Sequence, residues 1–180
     1  LSPRQASAFA PHVERLRLQE AMRSVKIDFA IKLASMNSGD AVSLESLVSG
    51  KKALLFHFWA PMSRECEASM PDFAATAQTL VAKGIAVVSL LPDDSPKTLT
   101  DARAVIRPLG EKPPGSWLID SKDKSLGETL RVQDIPSMAL VSTDGRILFN
   151  GDPADDGFWE ALKKLDEGII RPMSGSDRKE

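Results

Sequence analysis

The strongest constraint on the fold is a buried strand followed by a helix near the middle of the chain. Residues 53–59 read Ala-Leu-Leu-Phe-His-Phe-Trp, an almost continuous apolar run that is typical of a strand covered on both faces. After a turn, apolar side chains recur at steps of four and three residues, which predicts a helix with one buried face. A second apolar run, Ile85–Leu91, predicts another buried strand, and strand-helix-strand order predicts parallel pairing with a right-handed crossover. The apolar positions of the helix are Cys66, Met70, Phe73, Ala77 and Leu80.

The remainder of the chain continues this alternation and ends in a hairpin and a helix. The pair Asp144-Gly145 between two apolar runs predicts a tight β-hairpin turn. The other predicted elements are a helix over Lys97–Leu109, a strand over Trp117–Asp120, a short helix over Lys124–Leu130, hairpin strands over Met138–Val141 and Arg146–Phe149, and a closing helix that buries Phe158, Leu162, Leu165 and Ile169.

The segment before the central strand is predicted to add further elements. An amphipathic pattern predicts a helix over His12–Lys26, and alternation predicts a strand over Ile27–Leu33. Ser43 is a candidate N-cap for a short helix over Leu44–Val48. We therefore divide the chain into an N-terminal tail and helix (1–26), one α/β domain (27–170) and a loose C-terminal tail (171–180).

Composition narrows the functional classes. The chain has 180 residues, 42% of them apolar, which is enough for one domain with a substantial core. A formal net charge of −2 gives no reason to expect nucleic acid as a partner. No apolar run approaches the ~20 residues of a membrane span, and no basic region precedes an apolar core of signal-peptide type. The chain begins at Leu1 rather than Met, so we expect a processed form from which a targeting segment has been removed.

Four separated motifs share the order and spacing of a known family. They are Val42–Leu47 with Gly50-Lys51, the turn Phe58–Cys66 with Met70-Pro71, the stretch Val132–Met138, and the hairpin turn Asp144-Gly145. Together they resemble the thioredoxin-like family, most closely its bacterial periplasmic TlpA and ResA type, with redoxin and thiol-peroxidase relatives. The resemblance covers about residues 29–165. It implies a three-layer α/β/α sandwich around a central mixed sheet of about five strands, an N-terminal helical extension, and a periplasmic or otherwise extracytoplasmic location.

The resemblance also implies a role for each residue around the turn. Ser63 falls where the family's attacking cysteine sits, and Cys66 falls where its resolving cysteine sits. Pro136 matches the family's cis-proline, and Ile135 matches the position that tunes thiol reactivity. Together with Trp59, Pro61 and Met62, these residues form the implied partner groove.

Ser63 is the most important difference between this chain and the family pattern, which has a cysteine at that position. Disulfide exchange by a dithiol needs one thiolate to attack and a second thiol to release the mixed disulfide. Cys66 is the one cysteine of the chain, so no internal disulfide can form. We interpret Ser63 as a helix N-cap that contributes ~1 kcal/mol to stability. As a nucleophile it would need an adjacent base and an oriented third group.

Two interpretations of Cys66 remain open. Its spacing places it on the buried face of the helix, where a thiol acts as a small hydrophobe and is chemically inert. Its position near a helix N-terminus favours a thiolate, and Ser63-x-x-Cys66 has the spacing that peroxiredoxins use to attack peroxide. The rest of that motif is missing, because Trp59 stands where it has proline and Pro136 stands roughly where it has arginine.

His57 lies inside the apolar run and is interpreted as a hydrogen-bonded core histidine. Next to Cys66, its ring could also tune the reactivity of the thiol. One cysteine and two histidines offer no zinc-binding spacing, and the chain has no glycine-rich phosphate loop or dinucleotide fingerprint. We expect neither a metal nor a cofactor.

Three functional hypotheses follow. The first is a family member that binds a protein or peptide partner, such as a thiol/disulfide protein, between Ser63 and Pro136 without dithiol turnover. The second is a single-cysteine thiol oxidoreductase or peroxidase in which Cys66 attacks and an external thiol resolves the product. The third is an active-site Cys-to-Ser variant of a periplasmic thiol-disulfide reductase.

Overall fold

The computed structural model describes residues 24–123 and 125–172. Within these ranges seven strands form one mixed sheet in the order β2-β1-β5-β4-β3-β6-β7. The strands are β1 (Lys32–Ser35), β2 (Ala41–Ser43), β3 (Ala53–Phe58), β4 (Ile85–Leu91), β5 (Ser116–Ile119), β6 (Ser137–Ser142) and β7 (Ile147–Gly151). The helices are α1 (Leu44–Val48), α2 (Arg64–Ala82), α3 (Pro96–Ile106), α4 (Leu126–Thr129) and α5 (Asp156–Leu165), with a 3₁₀ turn at Arg107–Leu109.

The strand β3 lies inside the sheet and is fully buried, as its apolar sequence predicts. It pairs parallel with β4 and antiparallel with β6, and β4 pairs parallel with β5. All six of its side chains are buried. The predicted parallel pairing of the two central strands is therefore confirmed, and so is the hairpin of β6 and β7 around Asp144-Gly145.

Two apolar cores cover the two faces of the sheet and make the three predicted layers. Ala53 and Leu55 of β3 belong to a core that contains α2, α3 and α5. Leu54, Phe56 and Phe58 belong to the opposite core, which contains α1 and α4. The period-2 alternation of β3 therefore sends its side chains to two separate helical layers.

The sheet is wider than the expected five strands, and the strand expected over Ile27–Leu33 is wrong in its bounds, because only Lys32 and Leu33 of that range are in a strand. Only Lys32–Ser35 of this region is a strand; it pairs antiparallel with β2 on one side and with β5 on the other. Asp28 interrupts the predicted strand with a turn. Its carboxylate accepts a hydrogen bond from the N–H of Ala30, and its carbonyl accepts one from the N–H of Ile31. This local turn chemistry competes with the sheet ladder, and alternation alone does not reveal it.

Two predictions lie largely outside the described residues. The helix expected over His12–Lys26 falls mainly on residues 1–23, and the C-terminal tail falls mainly on residues 173–180. The division of the chain at residues 26 and 170 stays a prediction.

Gly145 joins the start of the described chain to the hairpin between β6 and β7. The N–H of Ile27 donates to the carbonyl of Gly145 at 2.9 Å, and Lys26 forms an isolated bridge with Arg146. Gly145 has a φ of +88°, and a Cβ there would lie 2.7 Å from the carbonyl oxygen of Ile27. The turn therefore needs glycine both for its backbone conformation and for this close approach.

Replacing Gly145 by Ala is expected to destabilise the protein more than replacing Gly39 by Ala. Both glycines have positive φ, +88° and +75°, so each substitution carries ~1–2 kcal/mol of backbone strain. At Gly39 the new Cβ meets nothing within 4 Å, so the collision with Ile27 is specific to Gly145. Urea unfolding compares the two variants, and equal losses of free energy would contradict the prediction.

Candidate functional site

The turn after β3 places Ser63 at the start of α2, where it caps the helix. Its backbone is extended, and its Oγ accepts a hydrogen bond from the N–H of Cys66 at 3.3 Å. The same hydroxyl donates to the carboxylate of Glu65 at 3.2 Å. The N-cap interpretation of Ser63 is confirmed. Among the described residues, the Ser63 hydroxyl donates to Glu65 and makes no hydrogen bond with the Cys66 sulfur, the contact that a peroxidatic arrangement would use.

Cys66 lies on the buried face of α2, and its exposed fraction is 0%. It belongs to the core that contains Trp59, Met70 and Phe73. Among the described residues, none forms a hydrogen bond with its sulfur; its N–H is bound to Ser63 and its carbonyl accepts from Ser69. A thiol in this position packs as a small apolar side chain.

An open cleft of about 630 Å³ separates the start of α2 from the loop before β6. Met62, whose exposed fraction is 66%, and Ser63 line one side, and Ile135 lines the other. The peptide bond between Ile135 and Pro136 is cis, as the resemblance implies. The structure therefore brings together three of the residues expected in a partner groove.

Other predicted groove residues lie elsewhere. Pro61 is buried and supports the turn from within the protein, whereas Trp59, 1% exposed, lines an apolar pocket that adjoins the cleft. Pro136 is half-buried and lines a separate cavity on the α2 side of the sheet. Sequence reasoning missed four polar residues that line the cleft, because exposed polar side chains in turns give no periodic signal; they are Arg64, Glu65, Gln133 and Asp134.

The loop that forms one side of the cleft has a free backbone. Among the described residues, no backbone hydrogen bond involves Gln133, Asp134 or Ile135, whereas Val132 donates to Gly127. The ladder between β3 and β6 ends at the pair Phe58 and Ser137. Backbone donors and acceptors beside a strand end can pair with an incoming extended chain.

A second pocket continues from the cleft. It has a volume of about 530 Å³, and Gln133 and Ile135 line both spaces. Its walls are largely apolar and include Phe58, Leu90 and Val132. Asp120 lies in this pocket, but its carboxylate already accepts hydrogen bonds from the N–H groups of Ser121, Leu126 and Gly127 and from the hydroxyl of Ser125. The pocket therefore offers mainly apolar surface to a side chain that reaches beyond the cleft.

His57 lies on the same side of the sheet as Cys66, in a buried and neutral state. Its ring stacks on Phe73 with centroids 3.7 Å apart, and its Nδ1 is 3.0 Å from the hydroxyl oxygen of Ser89. Burial lowers the pKa of His57 to about 3. The core interpretation is confirmed, and a neutral ring supplies no positive charge that would stabilise a thiolate at Cys66.

Two features of the described ranges concern metal ligands and membrane-spanning helices. In residues 24–123 and 125–172, no three His, Cys, Asp or Glu side chains are grouped so that they could hold a metal ion. Over the same residues, no helix has the length and apolar character needed to cross a membrane.

Comparisons with known proteins agree with this architecture. A family model described as Redoxin matches residues 19–167. A thiol:disulfide interchange protein from Bacteroides sp. is 19% identical, with a TM-score of 0.60 over 82% of this chain and 93% of that chain. The thioredoxin domain of a thiol-disulfide oxidoreductase from Bacteroides vulgatus is 21% identical, with a TM-score of 0.58 over 78% and 97%.

A secreted disulfide oxidoreductase from Mycobacterium tuberculosis is 16% identical, with a TM-score of 0.56 over 76% of this chain and 96% of that chain. At these identities the structural likeness shows the fold. A search of curated proteins found no match.

Because His57 stays neutral when buried, stability is expected to fall in mild acid. Below pH 6.5 the unfolded chain binds a proton at this residue that the folded protein excludes until about pH 3. The free energy of unfolding is therefore unaffected by protonation of His57 well above pH 6.5 and decreases as the pH falls below it. The expected decrease is about 2 kcal/mol between pH 8 and pH 5. Urea unfolding at several pH values measures this slope, and His57→Gln should remove most of it.

Three aspartates are not expected to contribute to this slope, because hydrogen bonds lower their pKa from an ordinary value of 3.8. The main bonds are from the Ser95 backbone to Asp93, from the Ser142 hydroxyl to Asp144 and from Lys52 to Asp166. Their contributions are present above about pH 4 and are lost only below it. An unchanged slope in His57→Gln would contradict the assignment to His57.

Proposed function

This chain belongs to the redoxin family and has a thioredoxin-like fold, and we propose that it binds an extended segment of a partner protein without disulfide turnover. The segment lies in the cleft between Met62-Ser63 and the loop 133–135. The observation that carries the proposal is the unpaired backbone of that loop, which faces the start of α2 across an open cleft. Extended peptides add to such an edge through main-chain hydrogen bonds.

The absence of turnover follows from the number and position of thiols. The chain has one cysteine, and the side chain of Cys66 is buried beneath the first turn of α2. An attacking thiolate must reach the sulfur of its target, and a mixed disulfide needs a second thiol for its release. Ser63, at the half-exposed position above Cys66, supplies a hydroxyl that is already committed to capping α2.

The surface of the cleft indicates the kind of segment that would bind. Exposed Met62 supplies an adaptable apolar contact, and the neighbouring apolar pocket opens at Gln133 and Ile135. Arg64 and Glu65 on one side and Asp134 on the other give the rim both signs of charge. An extended segment with one apolar side chain directed into the pocket therefore fits better than a strongly charged one.

An extracytoplasmic location is part of the proposal. The mycobacterial structure with the same fold is described as secreted. A binding protein with one shielded thiol is also compatible with an oxidising compartment, because it has no exposed cysteine to form unwanted disulfides.

Ser63→Cys is expected to create dithiothreitol-dependent insulin reduction that the unchanged protein lacks. The substitution places a second thiol at a half-exposed helix N-cap, three residues before Cys66, where the helix N-terminus stabilises a thiolate. Ser69→Cys is the matched control, since it adds a thiol one turn further along α2. Repeated insulin reduction by the unchanged protein, with no second thiol protein present, would refute the proposed lack of turnover.

Peptide binding is tested by panning a displayed library of random dodecapeptides against the full chain. Enriched peptides should shift NMR signals of residues 62–65 and 133–135. The substitution Met62→Asp should lower the affinity for these peptides about tenfold, because it replaces an apolar contact by a charge. Ile170→Asp is the control, because Ile170 is another highly exposed apolar residue (75%, against 66% for Met62) that does not line the cleft. Failure to enrich any peptide, or equal binding to both variants, would count against the cleft.

A further inference from the structure

A second cavity lies on the α2 side of the sheet, away from the cleft. It has a volume of about 200 Å³ and is enclosed by α2, the start of β6, the segment before α5, and α5 itself. Phe73, Met138, Phe158 and Trp159 supply its apolar walls. Phe158 and Trp159 pack edge to face with centroids 5.2 Å apart, so these walls are held in place by the core.

His57 is a buried polar residue among those that line this cavity. The residue is 1% exposed, and its ring both lines the cavity and stacks on Phe73. Its Nδ1 is occupied by Ser89 at 3.0 Å, while Nε2 has no hydrogen-bond partner among the described residues. A ring nitrogen without a protein partner is available to a hydrogen-bonding group placed in the cavity.

The hydrogen-bonding role of Nε2 depends on which nitrogen carries the proton. If Nδ1 donates to Ser89, Nε2 is an acceptor; if the hydroxyl of Ser89 donates to Nδ1, Nε2 carries the hydrogen and donates. A hydroxyl group can serve as either partner. A ligand hydroxyl therefore satisfies His57 in both tautomers, which neither a carbonyl nor a cationic amine can do.

Charges at the mouth argue against an anionic ligand. Asp72 and Asp152 are exposed lining residues. Arg171 also lines the mouth, but it is 3.7 Å from the carboxylate of Asp156 and lies over the ring of Trp159. The cation that lines the cavity therefore has a carboxylate neighbour, and two further carboxylates at the mouth repel negative charge.

We propose that this cavity binds a small neutral aromatic alcohol, with its ring against Phe73, Phe158 and Trp159 and its hydroxyl on Nε2 of His57. The size agrees with this class, because an engineered cavity of about 150 Å³ accepts benzene and 200 Å³ adds room for one substituent. The site is independent of the peptide cleft, since the two share no lining residue.

The test titrates the full chain at pH 7 with phenol, which is neutral there, and with toluene, which has similar size but no hydroxyl. Binding is followed in ¹⁵N–¹H NMR spectra. Ala75→Phe should block the site, because Ala75 is a half-buried lining residue of α2. Gln78→Phe is the matched control, since Gln78 is exposed on the same helix and outside the cavity. His57→Phe removes the hydrogen bond.

The expected result is saturable binding of phenol, with shifts confined to residues that line the cavity. Binding should persist in Gln78→Phe, disappear in Ala75→Phe, and weaken about tenfold in His57→Phe and for toluene, as loss of one hydrogen bond predicts. Absence of saturation, unchanged binding in Ala75→Phe, or toluene binding as tightly as phenol would each overturn the proposal. If His57→Phe does not fold, the Ala75→Phe and toluene results decide the question.

Discussion

The burial of β3 on both faces is the constraint on which the rest of the structure depends. Its six side chains alternate between two cores, and its backbone pairs with β4 on one side and β6 on the other. The end of β3 therefore has a fixed position relative to the start of β6. The turn that begins α2 and the loop that contains Ile135 face each other because they leave neighbouring strands at the same edge of the sheet.

The same geometry separates binding from thiol chemistry. Ser63 satisfies an N–H group at the start of α2, and the spacing of the helix then rotates Cys66 into the core. The cleft above keeps a free backbone and an exposed Met62, neither of which depends on a thiol. A surface for recognising an extended chain can thus persist where the sulfur that would attack it is missing.

His57 is a polar residue of the apolar core that nevertheless affects the stability of the protein. Burial holds its ring neutral, and Ser89 satisfies one nitrogen while Phe73 covers a face of the ring. This arrangement makes stability depend on pH above the range in which the aspartates titrate. It also places the ring beside a cavity bounded by aromatic side chains.

The sequence alone predicts β3 and β4, the helix α2 with its Ser63 cap, and the hairpin at Asp144-Gly145. These elements can be predicted because burial on both faces, helical spacing and turn residues are local signals. Only the tertiary structure decided the width of the sheet, since β1 pairs with the distant strand β5 and β2 then pairs with β1. It also decided which exposed polar residues line the cleft and where the ring of His57 points. These depend on contacts between segments that are distant in sequence, and no local periodicity records them.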